Sequence, residues 1–131
     1  MSMKPARRCF DVGILVSDIG ESLAFYQGLL GLEKLEDFDV PFGRLYRLRF
    51  GDSFAKLIVP KHKPGAGTQG LTKALGLRYL TFPIINLDEV YAACEAAGVT
   101  VELTKRELMP GVFVAMVLDP DGNVVELVER R

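Results

Sequence analysis

Residues 9–32 of this chain read CFDVGILVSDIGESLAFYQGLLGL, and residues 77–99 read LRYLTFPIINLDEVYAACEAAGV. Both stretches place apolar residues at every second position, which is typical of a strand with one buried face. Asp18 and Asn86 follow, each with a glutamate three residues further on, and this spacing predicts a capping box at a helix start. A glycine after each helical stretch predicts a left-handed helix end. The repeat therefore predicts a strand and then a helix in each half of the chain.

The rest of each half is patterned as strands. Turn residues at 51–53 and 119–123 separate apolar runs and predict two hairpins. Six further strands are predicted, three in each half: 32–38, 44–50, 54–59, 100–105, 112–118 and 124–128.

The predicted fold class is therefore α+β, with two tandem βαβββ modules whose mixed sheets are flanked by helices. We expect a single domain over residues 1–131. Module one covers about 8–60, a glycine-rich linker covers about 60–76, and module two covers about 77–131.

The composition narrows the classes of function. The chain has 131 residues, of which 49% are hydrophobic and 25% charged, with a net charge of −1. This balance excludes a disordered chain and gives no basic surface for nucleic acid. No apolar run is long enough for a membrane span, and no apolar segment follows the basic N-terminus as a signal peptide requires. We expect a cytoplasmic protein with neither nucleic-acid nor membrane partners.

The repeat also relates individual positions of the two halves. A shift of 68 residues aligns Asp11 with Tyr79, and a shift of 70 aligns Lys56 with Glu126. A pseudo-twofold site would be built from such pairs. A slip of one residue in the second alignment would turn Lys56 to the opposite face of its sheet.

The opening and closing segments resemble a known family. DVGILVSDIGESLAFYQGLLGL, residues 11–32, and DPDGNVVELVE, residues 119–129, are similar to the signatures of the vicinal oxygen chelate superfamily. That superfamily includes glyoxalase I, bleomycin-resistance proteins and extradiol dioxygenases. The resemblance implies paired modules forming a cupped sheet, with a small-molecule ligand inside the cup. It also implies a homodimer.

The family's metal positions differ in this chain. In metal-dependent members two histidines and two glutamates converge in the cup. The resemblance places Asp11, Lys56, Tyr79 and Glu126 at these positions, and only Glu126 fits the pattern. A lysine ammonium has no lone pair to offer an ion. We therefore expect no cofactor and no metal ligands.

Three interpretations of these four residues stay open. Lys56 and Glu126 could form a salt bridge that fills a site without function. Alternatively, Lys56 could stabilise an enolate or carboxylate while Glu126 or Asp11 accepts a proton and Tyr79 donates a hydrogen bond. In the third interpretation, the oxygens of Asp11, Tyr79 and Glu126 would hold magnesium or manganese.

The resemblance thus leaves two classes of function. The chain could be a glyoxalase-like lyase or isomerase that acts on a small oxygenated metabolite. Alternatively, it could be a non-catalytic binding protein of the bleomycin-resistance type, which sequesters a small molecule or drug. The absence of the family histidines favours binding, and the retained Glu126 favours catalysis.

Two further groups of side chains have simpler explanations. Strand alternation puts Arg47 and Arg49 on one face and Arg44 on the other. We expect a solvated sheet face there, with an anionic ligand as the alternative. Cys94 lies on the apolar stripe of the second helix and is expected to be a core thiol.

Overall fold

The computed structural model describes all residues of the chain, Met1–Arg131. The chain divides into two compact units, Met1–Gly65 and Ala66–Arg131, and the division falls inside the predicted linker. Each unit contains one helical segment and one four-stranded mixed sheet, in the predicted order β-α-β-β-β. The α+β two-module fold is therefore confirmed. No helix in the chain has both the length and the apolar character needed to cross a membrane.

The first unit begins with a short strand and a helical segment, and ends with three longer strands. Its elements are β1 (Val12–Leu15), α1 (Ile19–Leu23) continued by a π-helical turn (Ala24–Leu29), β2 (Glu33–Val40), β3 (Gly43–Phe50) and β4 (Ser53–Pro60). The strand order is β1-β4-β3-β2. Strand β1 is parallel to β4, and the other pairs are antiparallel.

The second unit repeats this topology. Its elements are β5 (Tyr79–Pro83), α2 (Leu87–Ala96), β6 (Val101–Met109), β7 (Val112–Leu118) and β8 (Val124–Arg130). The strand order is β5-β8-β7-β6, with β5 parallel to β8. The two sheets thus have equivalent strand orders, as expected from a sequence repeat.

The two helices begin in different ways. Asp18 caps α1, because its Oδ1 accepts the backbone N–H of Glu21 at 3.0 Å. The predicted capping box at Asn86 is wrong, since the Asn86 side chain makes no cap bond and donates instead to Glu89. The backbone N–H of Leu87 is accepted by the carboxylate of Glu129 at 2.7 Å. Strand β8 therefore supplies the acceptor that the local sequence was expected to provide.

The end of the first helix is wider than an α-helix. In this π-helical turn the N–H of Leu30 donates to the carbonyl of Phe25, five residues earlier. Both Phe25 and its neighbour Tyr26 are buried, with their rings edge to face and 4.8 Å between centroids. The glycine that follows, Gly31, has φ 80°, so the predicted left-handed helix end is confirmed.

Apolar side chains on β3, β4, β7 and β8 form much of the core of their units. Leu48 and Leu57 are fully buried in the first unit, and Val125 and Leu127 are buried in the second. The predicted stripe on α2 is buried at three positions, Leu87, Tyr91 and Cys94, so Cys94 is a core thiol as expected. Burial raises the pKa of that thiol.

Candidate functional site

Strand register places Lys56 and Glu126 at corresponding positions of their units. Lys56 of β4 lies beside Gly13 of the parallel strand β1. Glu126 of β8 lies beside Thr81 of the parallel strand β5. The shifts of 68 and 70 residues inferred from the repeat reproduce both pairs. A one-residue slip of Lys56 is therefore excluded within its sheet.

Asp11 lies directly before β1, with both carboxylate oxygens engaged. Oδ1 accepts the backbone N–H of Phe54 at 2.8 Å, and Oδ2 accepts from the Arg7 guanidinium at 2.6 Å. The Phe54 N–H, then the hydrogen bond from Arg7, and the positive charges of Arg7 and Lys56 lower the pKa of Asp11. A carboxylate held in this way is a weak base, so the contacts of Asp11 fit a structural role.

The sequence interpretation missed Arg7, the partner of Asp11. Besides Asp11, its guanidinium donates to the carbonyl of Asp52 at 2.6 Å and to the sulfur of Cys9 at 3.1 Å. It also lies over the Phe54 ring, 5.1 Å from the centroid. The only signal in the sequence was the spacing of four residues from Asp11, which is common among surface charges.

Lys56 has no hydrogen bond or ion pair in the first unit. Its neighbour on β1 is Gly13, which has no side chain. Its neighbour on β3 is Arg47, which carries the same charge. Like charges directly opposite on neighbouring strands are destabilising. The ammonium of Lys56 is therefore half-buried and makes no ion pair in its own unit, although its charge contributes to the lowered pKa of Asp11.

Arg47 is held in place by two contacts. Its guanidinium lies over the ring of Phe54, 4.7 Å from the centroid, and donates to the carboxylate of Glu36 at 2.5 Å. The side chain is only 32% exposed, and its Nε is buried without a hydrogen-bond partner. The expected solvated face is therefore wrong for Arg47. It holds better for Arg49, which is 46% exposed and pairs with Glu33.

In the second unit, the carboxylate of Glu126 is oriented by a hydroxyl. Thr81 donates from Oγ1 to Oε1 of Glu126 at 2.9 Å, in a half-buried setting. The other oxygen of Glu126, Oε2, makes no hydrogen bond. The sequence interpretation did not single out Thr81. The repeat contains a signal for Thr81, because it aligns Thr81 with Gly13. The residue beside Glu126 therefore has a hydroxyl, whereas the equivalent residue beside Lys56 has no side chain.

Tyr79 shares the sheet face of Thr81 and Glu126. It lies two residues before Thr81 on β5, and alternate residues of a strand point to the same face. The side chain is exposed, at 54%, and makes no hydrogen bond within its unit. A phenol in this position is free to donate to a bound molecule.

The side chains present do not fit a divalent metal ion. No group of three or more His, Cys, Asp or Glu side chains is arranged to hold one. Asp11 already accepts from Arg7 and from the Phe54 N–H, and protonated Lys56 offers no lone pair. Asp11 and Lys56 are therefore poorly suited to hold a metal ion.

Comparison with known proteins identifies the class. The sequence profile of the Glyoxalase/Bleomycin resistance protein/Dioxygenase superfamily matches residues 9–127. The chain therefore belongs to this superfamily.

The identity to individual relatives is below 30%. The chain is similar to the lactoylglutathione lyase of Haemophilus influenzae, with 28% identity in an alignment that covers 88% of this chain and 87% of that enzyme. A glyoxalase family protein from Enterococcus faecalis has a similar crystal structure, with a TM-score of 0.74, 27% identity, and coverage of 95% and 98% of the two chains. The trypanothione-dependent glyoxalase I of Leishmania major is similar too, with a TM-score of 0.71, 27% identity, and coverage of 95% and 87%.

Proposed function

We propose that this protein is a lyase or isomerase of the glyoxalase class that acts on a small oxygenated metabolite, with Glu126 as the proton acceptor. The observation that carries the proposal is the Thr81–Glu126 hydrogen bond, which fixes one carboxylate oxygen and leaves the other open. The names of the lactoylglutathione lyase relatives support the class of reaction.

The second unit offers the groups that such a proton transfer requires. The open oxygen of Glu126 takes a proton from a carbon next to a carbonyl, so that the C–H bond breaks and an O–H bond forms. The electron pair moves to the carbonyl oxygen, where Tyr79 donates a hydrogen bond to the developing enolate. Returning the proton to the neighbouring carbon completes an isomerisation. Expelling a leaving group from the enolate completes a lyase reaction.

The state of Asp11 supports Glu126 as the base. Both oxygens of Asp11 accept hydrogen bonds, and its pKa is lowered. Glu126 has one open oxygen and a single neutral donor, Thr81. Of the two carboxylates left open by the sequence, Glu126 is therefore the one we assign as base.

The test follows hydrogen exchange at carbon. The protein is incubated in D2O with S-lactoylglutathione, pyruvate or hydroxyacetone, and loss of the proton signal next to the carbonyl is followed by NMR. We expect wild type to exchange at least one of them, and Glu126→Gln to reduce the rate by about a hundredfold or more. Asp11→Asn is the matched control, since it makes the same chemical change at the other carboxylate.

The results decide the assignment. Exchange that survives in folded Glu126→Gln, as judged by circular dichroism, would rule out Glu126 as the base. Exchange that is lost in Asp11→Asn but not in Glu126→Gln would transfer the role to Asp11.

A binding protein without turnover is the second candidate. It is favoured by Asp11 and Lys56, since one is engaged by Arg7 and the other is an ammonium at a family ligand position. Saturable binding of a small molecule without exchange at carbon would identify this function. The interpretation of Lys56 and Glu126 as a salt bridge would join the two units and stays a prediction.

We also propose that the protein works as a homodimer with a small-molecule ligand. The support is the family membership, since the resemblance implied pairing of two-module chains. Sedimentation velocity distinguishes a dimer from a monomer of 14.5 kDa.

A further inference from the structure

We propose that Arg47 and Lys56 form an anion-binding site on β3 and β4, which takes the carboxylate of the small molecule that binds this protein. This inference rests on the proposed function for the nature of the ligand as a small oxygenated metabolite. It names the ligand's charge, and it selects Arg47 from the β3 arginines for which the sequence left an anionic ligand as the alternative.

The first argument is charge pairing along the β3–β4 hairpin. The three arginines of β3 all have carboxylate partners: Arg44 pairs with Asp37 and Asp39, Arg47 with Glu36, and Arg49 with Glu33. Lys56 is the one cation of the hairpin without such a partner, and Arg47 lies directly opposite it. Folding thus brings together two like charges, an arrangement that an anion would stabilise.

The second argument is the contrast between the two units. In the second unit, Thr81 provides a hydroxyl to the charged group beside it, Glu126. In the first unit, Gly13 provides nothing to Lys56. A Cβ built on Gly13 would meet only a methyl of Ile58, at 3.7 Å. On the β1 side the nearest acid is Asp11, whose two oxygens are already taken by Arg7 and the Phe54 N–H, so Lys56 gains only its long-range attraction.

The third argument is the state of the Arg47 guanidinium. The Phe54 ring and Glu36 fix its plane, so little side-chain freedom remains to be lost when a ligand binds. Its Nε is a buried donor without an acceptor, which is costly for a folded protein. Because Nε itself is buried, a ligand oxygen would contact the exposed part of this side chain, which is held in place beforehand.

A carboxylate matches this pair of cations. A planar guanidinium and a carboxylate form charge-assisted hydrogen bonds, and the lysine ammonium adds a point charge that needs no fixed geometry. Inorganic phosphate shares the same anionic oxygens, so the two sources must be separated by experiment. A neutral molecule of the same size would gain none of this attraction.

The test is an NMR titration of the 15N-labelled protein. Pyruvate carries a carboxylate on a three-carbon carbonyl skeleton, and hydroxyacetone has the same skeleton without the charge. We expect pyruvate to shift the amide signals of β3 and β4, with an affinity at least about tenfold above that of hydroxyacetone. Inorganic phosphate, the third probe, is expected to bind more weakly than pyruvate. Equal or tighter binding of phosphate would overturn the carboxylate assignment.

Three variants locate the binding. Lys56→Met and Arg47→Met are each expected to weaken pyruvate binding by about tenfold or more. Arg49→Met is the matched control, because it removes the same charge from the same face of β3, also from a pair with a glutamate, but at a residue opposite Phe54 instead of Lys56. We expect this control to change the affinity by less than about twofold.

If Lys56 had a purely structural role, Lys56→Met would melt below the wild-type temperature. The anion site predicts the opposite. Lys56 has no partner to lose, so Lys56→Met should melt at or above the wild-type temperature while binding pyruvate poorly. Lys56→Met or Arg47→Met protein that binds pyruvate like wild type would overturn the proposal. The proposal would also be overturned if Arg49→Met lost as much affinity for pyruvate as Lys56→Met does. Such a result would indicate that the overall charge of the protein attracts the anion.

The two proposals can fail separately. Exchange of hydroxyacetone at carbon without pyruvate binding at β3 and β4 would leave the proposed reaction standing and remove the anion site. Pyruvate binding that depends on Lys56, with no exchange on any probe, would leave the anion site standing and remove the reaction.

Discussion

At the scale of single residues, partners decide what each charged group can do. Asp11 and Glu126 are both carboxylates that the resemblance implies to lie at family ligand positions. Asp11 accepts from Arg7 and from a backbone N–H, whereas Glu126 accepts from one hydroxyl. The first is held in its ionised form and the second keeps an open oxygen. The sequence repeat identifies both positions, but it does not predict which hydrogen-bond donors each carboxylate meets.

We expect Asp11→Ala to lower the free energy of unfolding near neutral pH by about 1 kcal/mol, because the N–H of Phe54 loses its acceptor. The pH dependence has a definite sign. Since folding lowers the pKa of Asp11, its contribution is complete above the unfolded value, about 3.9, and is lost as pH falls through the lower folded value.

Urea unfolding at a series of acidic pH values checks this prediction. The acid-induced loss of stability should be smaller in Asp11→Ala than in wild type. It should not vanish, since Asp37, Asp88 and Glu129 also have lowered pKa values. Equal slopes in the two proteins would contradict the assignment of this effect to Asp11.

At the scale of secondary-structure elements, local signals predict where elements lie better than how they are held. The capping box at Asp18 forms its backbone bond, whereas the similar one at Asn86 does not. The difference comes from β8, which brings Glu129 to the start of α2. A long-range carboxylate replaces a local cap, and the spacing of residues around Asn86 cannot reveal it.

We therefore expect Glu129→Ala to lower the melting temperature more than Asn86→Ala does. Removing Glu129 leaves the N–H of Leu87 without its acceptor and also breaks the pair with Arg131. Removing the Asn86 side chain breaks only its bond with Glu89. Thermal unfolding followed by circular dichroism, at a wavelength that reports helix, measures the melting temperatures of both variants. A larger loss for Asn86→Ala would mean that Asn86 is the effective cap after all.

At the scale of the whole molecule, one topology is used twice with different chemistry. The two units share their strand order, and Lys56 of one corresponds to Glu126 of the other. The superfamily fold is retained, and the resemblance implies that the side chains at the family's metal positions have changed. We therefore expect this protein to function without a divalent metal.

Elemental analysis of dialysed, untagged protein tests that expectation. We expect substoichiometric transition metal, and no change in melting temperature on adding EDTA, manganese, nickel or zinc. Exchange at carbon should be equally fast before and after chelation. A stoichiometric metal that survives dialysis, or activity that EDTA removes and a metal restores, would instead favour Asp11, Tyr79 and Glu126 as an unusual ligand set.

The sequence by itself determined the fold and the pairing of positions. Alternating apolar residues, turn residues and the internal repeat are local or periodic signals, so they predicted both βαβββ modules and aligned Lys56 with Glu126. They also marked Arg47 as a cation on a strand face.

Only the tertiary structure decided the partners of those residues. Arg7 reaches Asp11 and the β3–β4 turn, Thr81 reaches Glu126 from another strand, and the Arg47 guanidinium lies on Phe54. Two of these contacts, from Arg7 to the turn and from Thr81 to Glu126, join residues 45 positions apart in the chain. Hydrogen bonds and ion pairs depend on distances of a few ångströms between particular atoms, which no sequence period encodes. For this reason only the folded chain shows that Asp11 is engaged by Arg7, that Glu126 keeps one open oxygen and that Arg47 is held on Phe54.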